Sequence, residues 1–166
     1  MEENEKIEQL ISIFGADTIG SIDLAFSIAE GQNIDLNKVF RLRYQPLIKY
    51  CSDFKCSTLT TSVRIILKTK EVVIRGKKIT QLPKEIKYIG HIKELYLYGN
   101  KLSHLPHEIT ALENLEVLEL DDNQFQNFPC EIKFLQNLRI FSIANNQIST
   151  LPKEIGSFRY LNTLYF

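Results

Sequence analysis

Apolar residues fall at alternate positions in four short stretches: Val72 and Ile74, Leu95 and Leu97, Leu118 and Leu120, Phe141 and Ile143. A period of two predicts strands with one face buried. The four stretches are spaced 23 residues apart, and the rest of the pattern keeps the same step. Leu82-Pro83, Leu105-Pro106, Phe128-Pro129 and Leu151-Pro152 mark one point of each copy. An isoleucine follows each proline three residues on, at Ile86, Ile109, Ile132 and Ile155, with Glu85, Glu108, Glu131 and Glu154 just before it. A chain that returns to the same place every 23 residues stacks its strands in parallel, about 4.8 Å apart. The second half of each copy, such as Leu105, Ile109 and Leu112 or Phe128, Ile132 and Leu135, forms an outer arc. Proline sets its turn, and a helical or 3₁₀ turn follows.

Asparagine recurs at Asn100, Asn123 and Asn146, with Lys77 in that slot of the first copy. A side-chain amide carries donors and an acceptor, so these residues are expected to form a buried ladder that satisfies loop backbone groups. Lysine has no acceptor, so the first copy is expected to turn differently or to be looser there.

Residues 1–68 lack the repeat and read as helical. Ile7, Leu10, Ile11 and Phe14 have helical spacing ended by Gly15. Asp17 or Thr18 caps a second helix with Ile19, Ile22, Phe26 and Ala29 on one face and Gly31 at its stop. Asp35 caps a third, containing Leu36, Val39, Phe40 and Tyr44, and Pro46 ends it or starts a fourth around Leu47 to Tyr50. Over 57–68, Leu59, Val63, Ile66 and Leu67 fit a helix better than a strand. A solenoid's first repeat exposes a core face unless something covers it, so this region is expected to be a helical cap.

Composition narrows the function. Lysine plus arginine and aspartate plus glutamate both number 20, and no basic run forms a phosphate-binding stripe, which argues against nucleic acid. The acidic start Met1-Glu2-Glu3 and the interrupted apolar run that follows do not read as a secretory signal, and no apolar stretch is long enough to span a membrane. Cys51, Cys56 and Cys130 are too few for a disulfide scaffold, so free thiols and a cytoplasmic setting are expected. A zinc site from Cys51, Cys56 and His104 or His107 would have unusual spacing and no second cysteine pair, so no metal and no cofactor are expected. His104 and His107 are expected at the surface beside Glu108. There is no phosphate loop around Gly99-Asn100-Lys101, no nucleophile elbow and no His-Glu-x-x-His, so no enzyme activity is expected.

The combination of L-x-x-L-x-L-x-x-N-x-L with a period of 23 resembles leucine-rich repeat proteins of the L-P-x-E-I kind, known from bacteria and from Ras-associated scaffolds. The resemblance covers residues 69–166, as copies 69–91, 92–114, 115–137, 138–160 and a partial 161–166. It implies an α/β fold: a right-handed solenoid with short parallel strands on a concave face that binds protein partners.

Register then gives columns of side chains on that face. Glu71, Glu94, Val117, Ile140 and Thr163 form the first, and Val73, Tyr96, Glu119, Ser142 and Tyr165 the second. Arg75, Tyr98, Asp121 and Ala144 form the third, and Gly76, Gly99, Asp122 and Asn145 the fourth. Tyrosines supply contact area and carboxylates favour a basic partner, so Glu94, Tyr96, Tyr98, Glu119, Asp121, Asp122 and Tyr165 are the candidate binding residues for a protein or peptide. Leu161, Leu164 and Phe166 read as core positions of a fifth strand, and homodimerisation through the Leu161–Phe166 edge is the alternative reading.

Overall fold

The computed structural model describes residues 19–31, 35–36, 40–41, 44–50 and 59–166. The expected helix over Ile7–Phe14, the caps at Asp17 or Thr18, Val39, Cys51 and Cys56 lie outside the described residues. The chain divides into two compact units, Met1–Thr69 and Lys70–Phe166.

The first unit contains helices α1 (Ile19–Gly31), α2 (Gln45–Ile48) and α3 (Leu59–Lys68). Phe26, Ala29, Phe40, Leu47, Val63, Ile66 and Leu67 are buried in it. The Phe26 and Phe40 rings sit 5.7 Å apart, and Phe40 meets Tyr44 edge-on at 5.9 Å, an arrangement aromatic quadrupoles favour. Pro46 lies in the first turn of α2, where its missing N–H leaves no intrahelical bond unmade. The apolar positions over 59–68 are satisfied on a helix, with Val63, Ile66 and Leu67 turned inward.

The second unit is a five-stranded parallel sheet: β1 (Glu71–Val73), β2 (Glu94–Tyr96), β3 (Val117–Glu119), β4 (Ile140–Ser142) and β5 (Thr163–Tyr165), in sequence order. Val72, Leu95, Leu118 and Phe141 are in register and fully buried. Hydrogen bonding continues past the strand ends, from Ile74 N–H to Tyr96 O at 2.8 Å and from Leu97 N–H to Glu119 O at 2.8 Å. Each repeat is therefore bonded to the next over more residues than the strands alone supply.

The outer arcs are 3₁₀ turns at Lys84–Ile89, His107–Ala111, Cys130–Phe134 and Lys153–Ser157. Each begins with a proline carbonyl accepting from the isoleucine three residues later: Pro83 from Ile86 at 3.1 Å, Pro106 from Ile109 at 3.0 Å, Pro129 from Ile132 at 3.4 Å and Pro152 from Ile155 at 3.2 Å. The i to i+3 bond of a 3₁₀ turn is thus the reason for the Pro-x-x-Ile spacing. It swings Ile86, Ile109 and Ile132 into the core. Where the first two arcs meet, a Cβ on Gly90 would lie 2.7 Å from the Ala111 carbonyl oxygen, so only glycine fits.

The asparagine ladder forms as the side-chain chemistry requires. Asn100 Nδ2 donates to the Ile74 and Leu97 carbonyls at 2.6 and 2.8 Å, and its Oδ1 accepts from Lys77 N–H at 3.0 Å. Asn123 and Asn146 repeat the arrangement one and two copies on. The first copy does turn differently: Lys78 is left-handed at φ 56°, whereas no other copy has a positive φ at that position.

Two expectations need correction. Neither the third nor the fourth column lies on strands: Arg75, Tyr98, Asp121 and Ala144 follow the strand ends, and Gly76, Gly99, Asp122 and Asn145 are left-handed turn residues with φ of 60°, 67°, 54° and 54°. Phe166, expected in the core, is 56% exposed, and Leu161 and Leu164 are only half-buried. β5 has a hydrogen-bonded neighbour on one side alone, so the described chain covers its apolar residues incompletely.

Candidate functional site

The site is the sheet face that points away from the core. Residues beside the buried Val72, Leu95, Leu118 and Phe141 must point outward, since side chains alternate along a strand. Pairing sets Glu71 beside Glu94, Glu94 beside Val117, Val117 beside Ile140 and Ile140 beside Thr163. It sets Val73 beside Tyr96, Tyr96 beside Glu119, Glu119 beside Ser142 and Ser142 beside Tyr165.

Several candidate residues are held by their neighbours. Tyr96 Oη donates to Glu94 Oε2 at 2.8 Å. That bond, with some burial and the charges of Glu94, Glu71 and Glu119, pushes the Tyr96 pKa up to about 12. Arg75 Nη1 donates to Tyr98 Oη at 2.8 Å, so a cation stands inside the supposedly acidic patch. Asp121 Oδ1 accepts from Ser142 Oγ at 2.5 Å and from the Ala144 amide at 2.8 Å. This carboxylate fastens β3's exit to β4's exit.

Glu119 is different. It is half-buried, and burial together with the charges of Asp121 and Asp122 raises its pKa above the usual carboxylate value. Among the described residues no donor or cation reaches its carboxylate. Asp122 is exposed on the adjacent left-handed turn. Tyr165, 57% exposed on β5, is separated from Glu119 by Ser142 and stands apart from the acidic group.

One charged row escaped the sequence reading. Lys93, Glu116 and Arg139 occupy one position of successive copies, just ahead of the first column. Glu116 bonds to Lys93 Nζ and lies 3.4 Å from Arg139 Nε. Its carboxyl is held below the usual value chiefly by the Lys93 hydrogen bond, with the charges of Lys93 and Arg139 adding. Opposite charges at a 23-residue step were the signal that could have found it. Ser142 and Arg75 were in the columns, but their bonds to Asp121 and Tyr98 depend on rotamers that spacing does not give. His104 and His107 are both exposed, as expected.

Comparison with known proteins agrees with this architecture. Residues 91–112 and 137–158 match the Leucine Rich Repeat family model. The fold is a leucine-rich repeat solenoid. A leucine-rich repeat protein of Leptospira interrogans is 38% identical over 62% of this chain and 27% of its own, with a TM-score of 0.58. The leucine-rich repeat ectodomain of the receptor kinase SOBIR1 from Arabidopsis thaliana is 29% identical over 58% of this chain and 54% of its own, with a TM-score of 0.50. An internalin from Listeria monocytogenes is 17% identical over 76% of this chain and 38% of its own, at a TM-score of 0.62, and shows the fold alone. The chain therefore spans between 27% and 54% of the length of these solved chains. No curated protein matches it. Leucine-rich repeat proteins generally serve protein–protein interaction. Among the described residues, no helix is long and apolar enough to cross a membrane.

Proposed function

We propose that this chain is a non-catalytic recognition module that binds a basic protein or peptide segment on the open, concave face of its solenoid. The observation that carries the reading is Glu119, a half-buried carboxylate two residues from Asp121 on the same face and within the field of Asp121 and Asp122, with no compensating cation among the described residues. A carboxylate in that setting gains more from an incoming lysine or arginine than a fully solvated one does, because the partner's charge offsets both burial and like-charge repulsion. Glu94 and Asp121, already bonded to Tyr96 and to Ser142, act as rigid walls rather than as the gripping groups. Tyr96 and Tyr98, pinned through their hydroxyls, present flat ring surface with little rotamer freedom left to lose. Tyr165 extends that surface on the far side of Ser142.

Fluorescence anisotropy with short labelled lysine- or arginine-bearing peptides, and with neutral and acidic peptides of the same length, tests the reading. Basic peptides are expected to bind preferentially, with affinity falling as salt rises and falling again in Glu119→Gln and in Asp122→Asn. Equal binding of basic and acidic peptides, or undiminished binding by Glu119→Gln, would overturn it. Replacing Tyr96 and Tyr98 together by alanine should remove peptide capture while leaving Tm nearly unchanged.

A further inference from the structure

The same face carries an apolar strip beside the carboxylates. Val117 and Ile140 are direct register partners in the first column, and Ile140 is 39% exposed although it sits mid-sheet with strands on both sides. On the other side of Val117 the column turns acidic, with Glu94 and then Glu71. At the opposite edge it continues as Thr163. Apolar exposure in this column is thus confined to β3, which carries Glu119, and to the adjacent β4. Val117 and Glu119 are two residues apart on one strand, so their side chains emerge on the same face about 6.6 Å apart.

An extended peptide has that same spacing between residues i and i+2. Resting on the proposed basic-segment reading, we infer that the segment recognised is an extended strand in which one apolar residue, two positions from a lysine or arginine, seats on Val117 and Ile140 while the basic side chain reaches Glu119 and Asp122. Charge complementarity fixes the basic end, and the neighbouring apolar pair selects what accompanies it. Glu94, held by Tyr96, borders Val117 on the β2 side, so an apolar residue finds its apolar neighbours over β3 and β4. Glu94 and Glu71 make the β1 and β2 part of the column a poor seat for an apolar group.

The test uses the full chain and four seven-residue peptides: Ile-x-Lys, Ser-x-Lys, Ile-x-Gln and Ser-x-Gln, each with alanine and glycine elsewhere. Changing Ile to Ser in the lysine peptide is expected to weaken binding about tenfold, the effect of losing most of one buried aliphatic side chain. In Ile140→Ser that sensitivity should shrink to about twofold, while the lysine preference persists. Ile140 lies outside the core, and its chain's far-ultraviolet circular dichroism checks that the variant is folded. The peptide-side comparison requires no variant at all. If Ile-x-Lys and Ser-x-Lys bind wild type equally, the inference fails and the basic-segment reading stands. If neither lysine peptide binds better than its glutamine counterpart, the underlying reading fails as well.

Discussion

Replacing Asn123 by alanine tests what the asparagine ladder contributes, and the structure allows its effect to be worked out bond by bond. Asn123 Nδ2 donates to the carbonyls of Leu97, Leu120 and Asp121 at 3.0, 2.9 and 3.1 Å, and Oδ1 accepts from Leu102 N–H at 2.9 Å. The three carbonyls keep other donors after truncation: Leu97 O keeps Asn100, Leu120 O keeps Asn146, and Asp121 O keeps the Gly99 amide. The Leu102 N–H does not, and Leu102 is fully buried. One orphaned buried N–H costs about 1–3 kcal/mol. The vacated side-chain volume adds to this, so the expected loss is about 2–3 kcal/mol.

In a unit near 100 residues each kcal/mol shifts Tm by about 4–8 °C, so a fall of roughly 10–20 °C is expected. Urea denaturation followed by circular dichroism should show the midpoint drop with an unchanged slope. Asn146→Ala serves as the internal control. The Asn146–Phe125 bond is only part-buried, unlike the buried Asn123–Leu102 bond, so the loss should be smaller, about 1 kcal/mol. Equal losses at the two sites, or less than about 0.5 kcal/mol at Asn123, would refute the claim that the orphaned Leu102 amide dominates.

Gly90→Ala should destabilise the fold by about 1–3 kcal/mol, since its Cβ meets backbone at 2.7 Å; a thermal melt within a degree of wild type would show that the arcs separate freely. Glu119→Gln should stabilise the protein on the order of 0.5 kcal/mol at neutral pH, the size of like-charge contacts on a sheet. Because burial and Asp121 and Asp122 raise the Glu119 pKa on folding, the fold penalises its ionised form. The wild type therefore loses stability as pH rises from the unfolded carboxylate value through the raised one, so the variant's advantage should vanish in acid. An advantage independent of pH would contradict this. Tyr96, with its pKa pushed up to about 12, should ionise nearer the ordinary 10.0 in Glu94→Gln, as read by ultraviolet difference titration against Tyr96→Phe. An unshifted Tyr96 would mean that the Glu94 bond is not the main cause.

The frame was legible because each of its rules is local and repeated. Pro-x-x-Ile reports a 3₁₀ bond, alternating apolar pairs report strands, and Asn100, Asn123 and Asn146 report backbone groups left over by the turn. Register followed, since a step of 23 residues leaves no freedom in which residue meets which. The third and fourth columns were misread because a period-two pattern does not reveal where a strand ends. Gly76 and Gly99 carried that signal through glycine's tolerance of positive φ, and Asp122 and Asn145 belong to the types that follow it there. Of the candidate site, the neighbours of each side chain were readable but its commitments were not. Nothing in the spacing says that Tyr96 turns to Glu94, that Arg75 turns to Tyr98, or that Asp121 spends its carboxylate on Ser142. Asn114 and Asn137, which donate to the Gly90 and Glu113 carbonyls at 3.2 and 2.8 Å, form a second amide step on the arc side that the asparagine column at 100, 123 and 146 does not indicate.

Two glutamates on β3's path show why function is sought on the open face and not in the frame. Glu116 lies between Lys93 and Arg139, one repeat away on either side, and its ionised form is favoured. Glu119, three residues further on, is half-buried and lies in the field of Asp121 and Asp122, and its ionised form is disfavoured. Both positions tolerate a charged side chain sterically, so the repeat fold does not require an acid at either. Satisfying Glu119 would need only a lysine or arginine at the register position of Tyr96 or Ser142, its partners on β2 and β4, yet those positions hold a ring and a small hydroxyl. Among the described residues, the structure thus leaves this carboxylate without a neighbouring cation. Local rules that a sequence breaks without structural gain tend to fall at sites shaped by function. A cation brought by a partner would satisfy Glu119 in the complex as Lys93 and Arg139 satisfy Glu116 in the free chain.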